Sequence, residues 1–574
     1  MEKDSHSASS EKSREEALLR LANDDTAMLQ AYGKASISSI RQNSYVTAVA
    51  AFAVIGALCF GIDQGLMSVI LVMKQFQAEF PELADGAPSQ GFHKGLVTAL
   101  LELGALVGAF AAPHISDHLS RRTAMRVGCV FFLIGAAIQT GASTYDTMLG
   151  GRLVGGVGIG LLSSTMSVYI SEIAPPNMRG MLLDLDELFV VLGIVVAYWM
   201  CFGTRYLDGE GSFRLPFGLQ MVPGALLLAG SFLMPPSPRW LAMKGRDDES
   251  LAVLARLRQR DADDVLVQAE WLGMRAENRV SREVSLERHP QLQSGSLRDT
   301  VMLDLWGWVD TWRPGCWRRT LVSVLLCFFQ QMVGINALIY YSPTIVAALG
   351  FSYDEQLVQS GIINVAQLAG VVISFFLIDR LGRKPLLILG SIGMTVCMVI
   401  VGVLVKLFGT SWSTHQPEAK CALAFLNLYM AVFGVSWGPV PWAMPSELFS
   451  SSLRARGVAW SVMSNWLFNF IIGLIVPPML ESIGWGTFIF FAAFAVVAGI
   501  WTILCVPETK DKTLEQLDRL FNDETGKRDE ERRQRIVASL AAELTGSVGD
   551  KVKLGDSSSD SSSGKIQVEK HEEV

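Results

Sequence analysis

The stretch Gln330-Gln331-Met332-Val333-Gly334-Ile335-Asn336-Ala337-Leu338-Ile339-Tyr340-Tyr341 decides the reading of this chain. It lies within an apolar run from about Leu321 to Ala348. Three primary amides are costly there unless they find partners. Each offers two donors and an acceptor carbonyl, which suits hydroxyl groups that both give and take hydrogen bonds. In an unbroken helix Gln331 and Asn336 would stand roughly 140° apart, at ~100° per residue. A break near Gly334 would bring them together, and interrupted helices are how transporters build midplane sites. Amides also serve simply to hold membrane helices together. Three of them so close, followed by Tyr340-Tyr341, favour a binding site.

The composition around this stretch sets the class. The chain has 574 residues, of which 50% are hydrophobic and 18% charged, below the ~25% usual for soluble chains. Long apolar runs recur, so the expected fold is an all-α polytopic membrane protein with the lipid bilayer as partner. Twelve spans are expected at 47–71, 94–116, 123–144, 147–170, 181–202, 215–234, 320–348, 357–379, 385–407, 421–446, 457–480 and 483–506. The net charge of −7 belongs largely to the polar tails, and no basic footprint for nucleic acid is present. The eight cysteines stand singly without a CxxC, so no metal or redox pair is expected. There is no GxxxxGK[ST] loop for ATP and no catalytic constellation. A non-enzyme without cofactor is expected. The amino terminus lacks the short apolar core of a cleaved signal peptide.

The spans fall into segments. Residues 1–44 form a polar tail, expected to be cytosolic and partly disordered. Residues 45–234 form a first six-span half, and 320–506 a second. Between them, 235–319 is a charged linker with amphipathic stretches at Glu249–Arg260 and Val265–Asn278. Residues 507–574 form a second polar tail, with Ser-rich 557–563 expected to be disordered. Arg121, Arg122, Arg126, Arg179, Arg380, Arg383, Lys384, Arg454, Arg456 and the linker all share one side if both tails are cytosolic, whereas the opposite loops hold few basic residues.

An internal repeat supports the two halves. Ser116-Asp117-His118-Leu119-Ser120-Arg121-Arg122 follows the second span, and Ile378-Asp379-Arg380-Leu381-Gly382-Arg383-Lys384 follows the eighth. Asp379 lies 262 residues after Asp117, Glu447 lies 275 after Glu172, and Pro507 lies 272 after Pro235. Glu172 and Arg179 are seven residues apart, as are Glu447 and Arg454. These charges suggest ion pairs across the interface between the halves, forming a gate at the cytosolic end. Membrane anchoring alone needs basic residues but no fixed spacing to acids.

Asp63 stands mid-span in Phe60-Gly61-Ile62-Asp63-Gln64-Gly65, and an intramembrane carboxylate is a functional candidate by default. Burial favours the protonated form of a carboxyl and a neighbouring cation favours the charged one. A group that alternates between these settings can load and release a proton. The expected cation is Arg152, among glycines that allow close helix approach. A permanent structural salt bridge is the alternative.

The motif QQxxGINxxxYY resembles the seventh-helix signature of the sugar porters, a branch of the major facilitator superfamily. The resemblance covers roughly 47–520, with at least six motifs in order. It implies alternating access around a central site for a neutral hexose or pentose. Gly61-Ile62-Asp63 resembles the first-helix motif of proton-coupled members, which makes Asp63 and Arg152 the coupling pair. It also implies substrate contacts from Gln330, Gln331, Asn336, Asn364, Trp442 and Asn469, with the Trp442 ring facing a sugar's C–H groups. Asp117, Arg121, Arg122, Glu172, Arg179, Asp379, Arg380, Arg383, Glu447 and Arg454 correspond to the family's cytosolic network.

Several positions depart from the pattern. Pro113, His118 and Ser120 stand where glycine, arginine and glycine are usual; Ser167 replaces a proline and Pro236 a glutamate. Glu187 stands where the family places a sugar-contacting glutamine. It is either a second titrating group, a determinant of different substrate preference, or a carboxylate rotated away onto a basic partner. An anionic sugar is disfavoured beside it. Gly434, where some facilitative members carry glutamate, favours a proton-coupled relative. The resulting expectation is a fungal-type sugar:proton symporter of the plasma membrane. A facilitator, a porter for a disaccharide or polyol, and a non-transporting sugar sensor are the alternatives.

Overall fold

The structure is a computed structural model that describes residues 2–33, 41, 43–292, 296–449, 453–510, 521 and 525–545. Among them it is helical, without a strand. The first half contains α1 (Ser44–Ile70), α2 (Gln90–Leu119), α3 (Arg121–Gly141), α4 (Tyr145–Ile173), α5 (Arg179–Thr204) and α6 (Gly211–Gly230). The second contains α7 (Trp317–Ala348), α8 (Tyr353–Leu381), α9 (Arg383–Phe408), α10 (Gln416–Leu448), α11 (Arg454–Ser482) and α12 (Trp485–Cys505). Eleven of these are long and apolar enough to cross a membrane. The other, α5, is 26 residues long and carries Asp184, Asp186 and Glu187 near its start. All twelve lie within a few residues of the expected spans.

Close backbone approach holds the first half together. Gly104 and Gly108 of α2 interleave with Gly156 and Gly160 of α4. A Cβ at any of the four would lie 2.0–2.2 Å from a carbonyl oxygen of the other helix. This contact excludes larger residues and brings Arg152 against the backbone of α2.

The expected linker stretches are helices Asp247–Arg258 and Val265–Arg288, followed by Leu297–Asp310. The expectation of partly disordered tails is corrected for the described residues. Glu2–Asn23, Asp25–Tyr32 and Thr525–Thr545 are helical. Leu18, Ala22 and Met28 pack with Leu254, Val267, Trp271 and Leu272 of the linker and with Val537, Leu540 and Ala541 of the carboxy-terminal helix. The polar sequences supply too little apolar periodicity to announce this cluster, because each helix buries its stripe on partners far away in the chain. Ser-rich 557–563 lies outside the described residues.

At the end of the bundle opposite the linker, the two halves meet directly. Tyr198 Oη donates to Leu357 O at 2.7 Å, and Arg205 pairs with Asp354 at 2.7 Å. Gly95 of α2 abuts the backbone of Leu474 in α11, and Gly361 of α8 abuts the Trp199 ring of α5. This end is closed.

Candidate functional site

The site begins with the break in α7. Its first segment, Trp317–Met332, ends before Gly334, and Ile335–Ala348 begins after it. Gly334 has φ +96°, a left-handed conformation that only glycine takes without strain. A Cβ there would also meet the Phe491 ring at 2.6 Å. Across the break Asn336 Nδ2 donates to Gln331 Oε1 at 2.5 Å. The two amides that an unbroken helix would separate are therefore joined. Among the described residues, Gln331 Nε2 and Asn336 Oδ1 have no protein hydrogen-bond partner.

Gln330 is used differently. Its Nε2 donates to Trp437 O and Gly438 O, each at 2.9 Å, and its Oε1 accepts from Asn465 Nδ2 at 2.7 Å. Both donors are committed to tying α7 to α10 and α11. This amide is chiefly a helix tie, although it borders the cavity. Trp466, by contrast, packs edge-on against Phe60, with centroids 4.9 Å apart, and is fully buried.

A narrow central cavity of about 60 Å³ lies beside this break. Gln330, Gln331, Asn336, Trp442, Asn469 and Glu187 line it. So do Gln64, Asp186 and Gln367, which the sequence analysis did not single out. Gln367 lies one turn beyond Asn364 in Asn364-Val365-Ala366-Gln367, and that amide pair was the available signal. Asn364 is fully buried behind the lining residues, and among the described residues neither its Nδ2 nor its Oδ1 has a hydrogen-bond partner. Gly434 lets α10 press on α8; a Cβ there would lie 2.6 Å from Gln367 O.

Glu187 faces the cavity, and no ion pair to it is present among the described residues. The alternative in which it turns away onto a basic partner is not what the structure adopts. Its neighbour Asp186 accepts from Ser167 Oγ at 3.2 Å. The serine that replaces the usual proline therefore supports the acid beside the unusual glutamate.

Next to the cavity is a buried charge cluster. Arg152 Nη1 donates to both Asp63 oxygens at 2.7 and 2.9 Å, and both side chains are fully buried. Arg152 also donates to Val97 O at 3.0 Å and Thr98 O at 3.2 Å. One turn on, Glu102 is fully buried and accepts from Tyr340 Oη at 2.5 Å. Its other oxygen has no partner. Tyr340 Oη accepts from Gln64 Nε2 at 2.9 Å and lies 3.3 Å from Asn469 Oδ1. Glu102 was missed in the sequence, although the rule that selects Asp63 applies equally to Leu101-Glu102-Leu103.

Among the described residues, the acids of the repeated charge pattern find partners within their own half. Arg121 bonds Glu172 at 2.8 Å and Asp117 at 2.9 Å, and Ser237 Oγ donates to Glu172. Arg122 donates to Met234 O at 2.7 Å. Glu172 is thus satisfied by Arg121 and Ser237, and the expected Glu172–Arg179 pair is not formed. In the second half Arg383 pairs with Glu447 at 2.9 Å, and Thr509 Oγ1 donates to the other Glu447 oxygen at 2.5 Å. Arg454 Nε lies 3.4 Å from Phe449 O. Arg380 is exposed, and the Asp379 side chain lies outside the described set. Among the described side chains, Asp117, Glu172 and Glu447 are each paired within their own half.

Two six-helix groups around a polar central cavity define a polytopic membrane carrier. The family described as "Sugar (and other) transporter" matches residues 49–521, and the chain belongs to it. A high-affinity glucose transporter of Kluyveromyces lactis is 31% identical over 500 residues, covering 84% of this chain and 85% of the relative. The quinate permease of Neurospora africana is 31% identical over 494 residues, covering 83% and 89%. The partially occluded, inward-open xylose transporter XylE from E. coli has 25% identity and a TM-score of 0.67. That match covers 82% of this chain and all of XylE. The all-α major facilitator fold expected from the sequence is therefore the fold of this protein, and its relatives are transporters.

Proposed function

We propose that the protein carries a neutral monosaccharide together with a proton, by alternating access. The observation that carries this reading is the Asn336–Gln331 bond across the α7 break. It aims one unpaired donor and one unpaired acceptor at a cavity that also holds Trp442, Gln367 and Asn469. Hydroxyl groups need this mixture of donors and acceptors, and an aromatic face suits the apolar face of a sugar ring. Gln330 positions the break, and Asn364 stands behind the lining.

The proton belongs on Asp63. In this state Arg152 satisfies it completely, and movement of α4 relative to α1 would expose the carboxylate to a proton. Sugar relatives, including a proton:xylose symporter, support this reading. Quinate is an anion, and Asp186 and Glu187 in the cavity oppose it by like charge whenever they are ionised, while offering it no cation. The linker and both tails lie in the cytosol, so the closed end faces outward. The basic-residue pattern supports this orientation, and a fungal-type relative supports the plasma membrane.

The test is uptake of labelled sugars in cells lacking their own carriers, with and without a protonophore. Accumulation that collapses with the protonophore, and external alkalinisation on adding sugar, are expected. Uptake that merely equilibrates and ignores the protonophore would make Asp63–Arg152 a structural pair in a facilitator. No uptake by protein shown to be at the surface would favour the sensor.

A further inference from the structure

The helix Leu297–Asp310 has its polarity turned inside out. Two of its three carboxylates point into the protein: Asp304 meets His118 of α2 at 2.7 Å and Arg456 of α11 at 3.2 Å, while Asp310 meets His289 at 3.1 Å and Arg313 at 2.9 Å. Trp308 is buried between Phe110 of α2 and Trp460 of α11, with centroids at 5.6 and 5.4 Å. Beyond Arg298, which is exposed in the first turn, the outward face is apolar. Val301, Leu305 and Val309, at one-turn spacing, are 47%, 45% and 50% exposed, with Met302 and Trp306 beside them. At ~100° per residue these five side chains fill an arc of roughly 140°. A helix facing water shows the opposite arrangement.

Position identifies what covers this face. The helix spans the ends of α2 and α11, and Trp317, exposed at 42%, opens α7 a few residues beyond it. Phe110, which stacks on Trp308, is itself exposed on the outside of α2, as is Val107. The apolar face of the helix therefore continues into the lipid-facing surface of the bundle. Trp306, Trp312 and Trp317 are all partly exposed along it, and tryptophan collects at the headgroup level of a bilayer. Arg318 is exposed nearby, and Arg313, paired with Asp310, is half-buried beside it, at the level where lipid phosphates lie.

We propose that Leu297–Asp310 is an interfacial helix. It lies in the plane of the membrane at the linker end, with Val301, Leu305 and Val309 at the boundary between headgroups and acyl chains. Because it contacts α2 of one half and α11 of the other, it ties the relative motion of the halves to that leaflet. Such helices bind through buried apolar area plus attraction to anionic lipid.

The test uses full-length protein in liposomes of phosphatidylcholine and phosphatidylglycerol. Cys421 and Cys505, the two exposed cysteines, are first replaced by serine. A nitroxide is then placed at Leu305→Cys, with Val301→Cys and Val309→Cys as independent reporters of the same face. Ala262→Cys, in an exposed turn of the linker, is the aqueous reference. Collision rates with oxygen and with a water-soluble nickel chelate are measured. Strong oxygen and weak nickel collision at the three positions, opposite to Ala262→Cys, is the expected result. Nickel collision equal to the reference would place the face in water and overturn the proposal. Shielding from both reagents would place it against protein, such as a second copy, and would overturn it equally. Neither outcome depends on which solute is carried.

Discussion

Asp63–Arg152 and Gln331–Asn336 are both polar pairs in the middle of the bundle, but their remaining valences differ. Four of the five Arg152 N–H groups are taken by Asp63 and two backbone carbonyls, and both side chains are fully buried. Gln331 and Asn336 share one bond and turn the rest of their amides to the cavity. A closed pair admits nothing larger than a proton, whereas an open pair can be completed by a hydroxyl. The contrast separates coupling from recognition on geometric grounds.

The largest effect is expected where the closed pair is broken. Arg152→Gln leaves Asp63 buried without its cation, which costs about 3–5 kcal/mol of stability. Denaturant unfolding of the purified protein measures this, and Asp63→Asn added to Arg152→Gln should recover much of the loss. Unchanged stability in the single variant would refute the pairing. For the open pair, Gln331→Ala should weaken the transition from free to bound sugar by about 1–3 kcal/mol, or roughly 5- to 150-fold in KM. Concentration-dependent uptake, normalised to surface protein, checks it; an unaltered KM would remove Gln331 from the site.

Gln330 provides an internal control for that comparison. Gln330→Leu takes the donor from Trp437 O and Gly438 O, so the expected loss is about 1–3 kcal/mol in stability, with KM changing less than in Gln331→Ala. The reverse ranking would make Gln330 the recognition residue.

The smallest effect concerns a closed pair outside the membrane. Burial alone would raise the Glu270 carboxyl, but Arg258, bonded to it, holds it below its ordinary value of 4.5. A carboxyl lowered on folding adds stability above its unfolded pKa and loses it as pH falls through the folded one. The melting temperature should therefore decline on acidification below about pH 4.5, with a shallower decline in Glu270→Gln. Parallel pH profiles would show that this carboxylate contributes nothing to the acid response.

Gly334 and Asp63 were legible because each violates its surroundings: a break-permitting residue between amides, and an acid within an apolar helix. Glu102 was equally visible by that rule, but its importance emerges only when Tyr340 arrives from another helix. Gln330 and Gln331 are adjacent in sequence and therefore point in different directions, so only one keeps a free amide. Asn364 and Gln367 face the same way approximately, yet only Gln367 lines the cavity, a difference that spacing along the helix does not reveal. The ion-pair residues were visible as a repeat, but their partners come from other helices of the same half, which spacing along the chain does not locate. The tails carry too little local pattern to reveal helices whose stability comes from distant segments.

One of those tail contacts has a consequence for biosynthesis. Arg533 Nη2 donates to the backbone carbonyl of Ala22, joining segments 511 residues apart in the chain. A ribosome making this protein delivers Ala22 first and Arg533 only after all twelve membrane helices have emerged. The amino-terminal helix can meet the linker midway through translation, but the part of its apolar stripe that faces Val537, Leu540 and Ala541 is covered only near the end. Completion of that small cluster is a late event in maturation, and it distinguishes a finished chain from one that stops before residue 533.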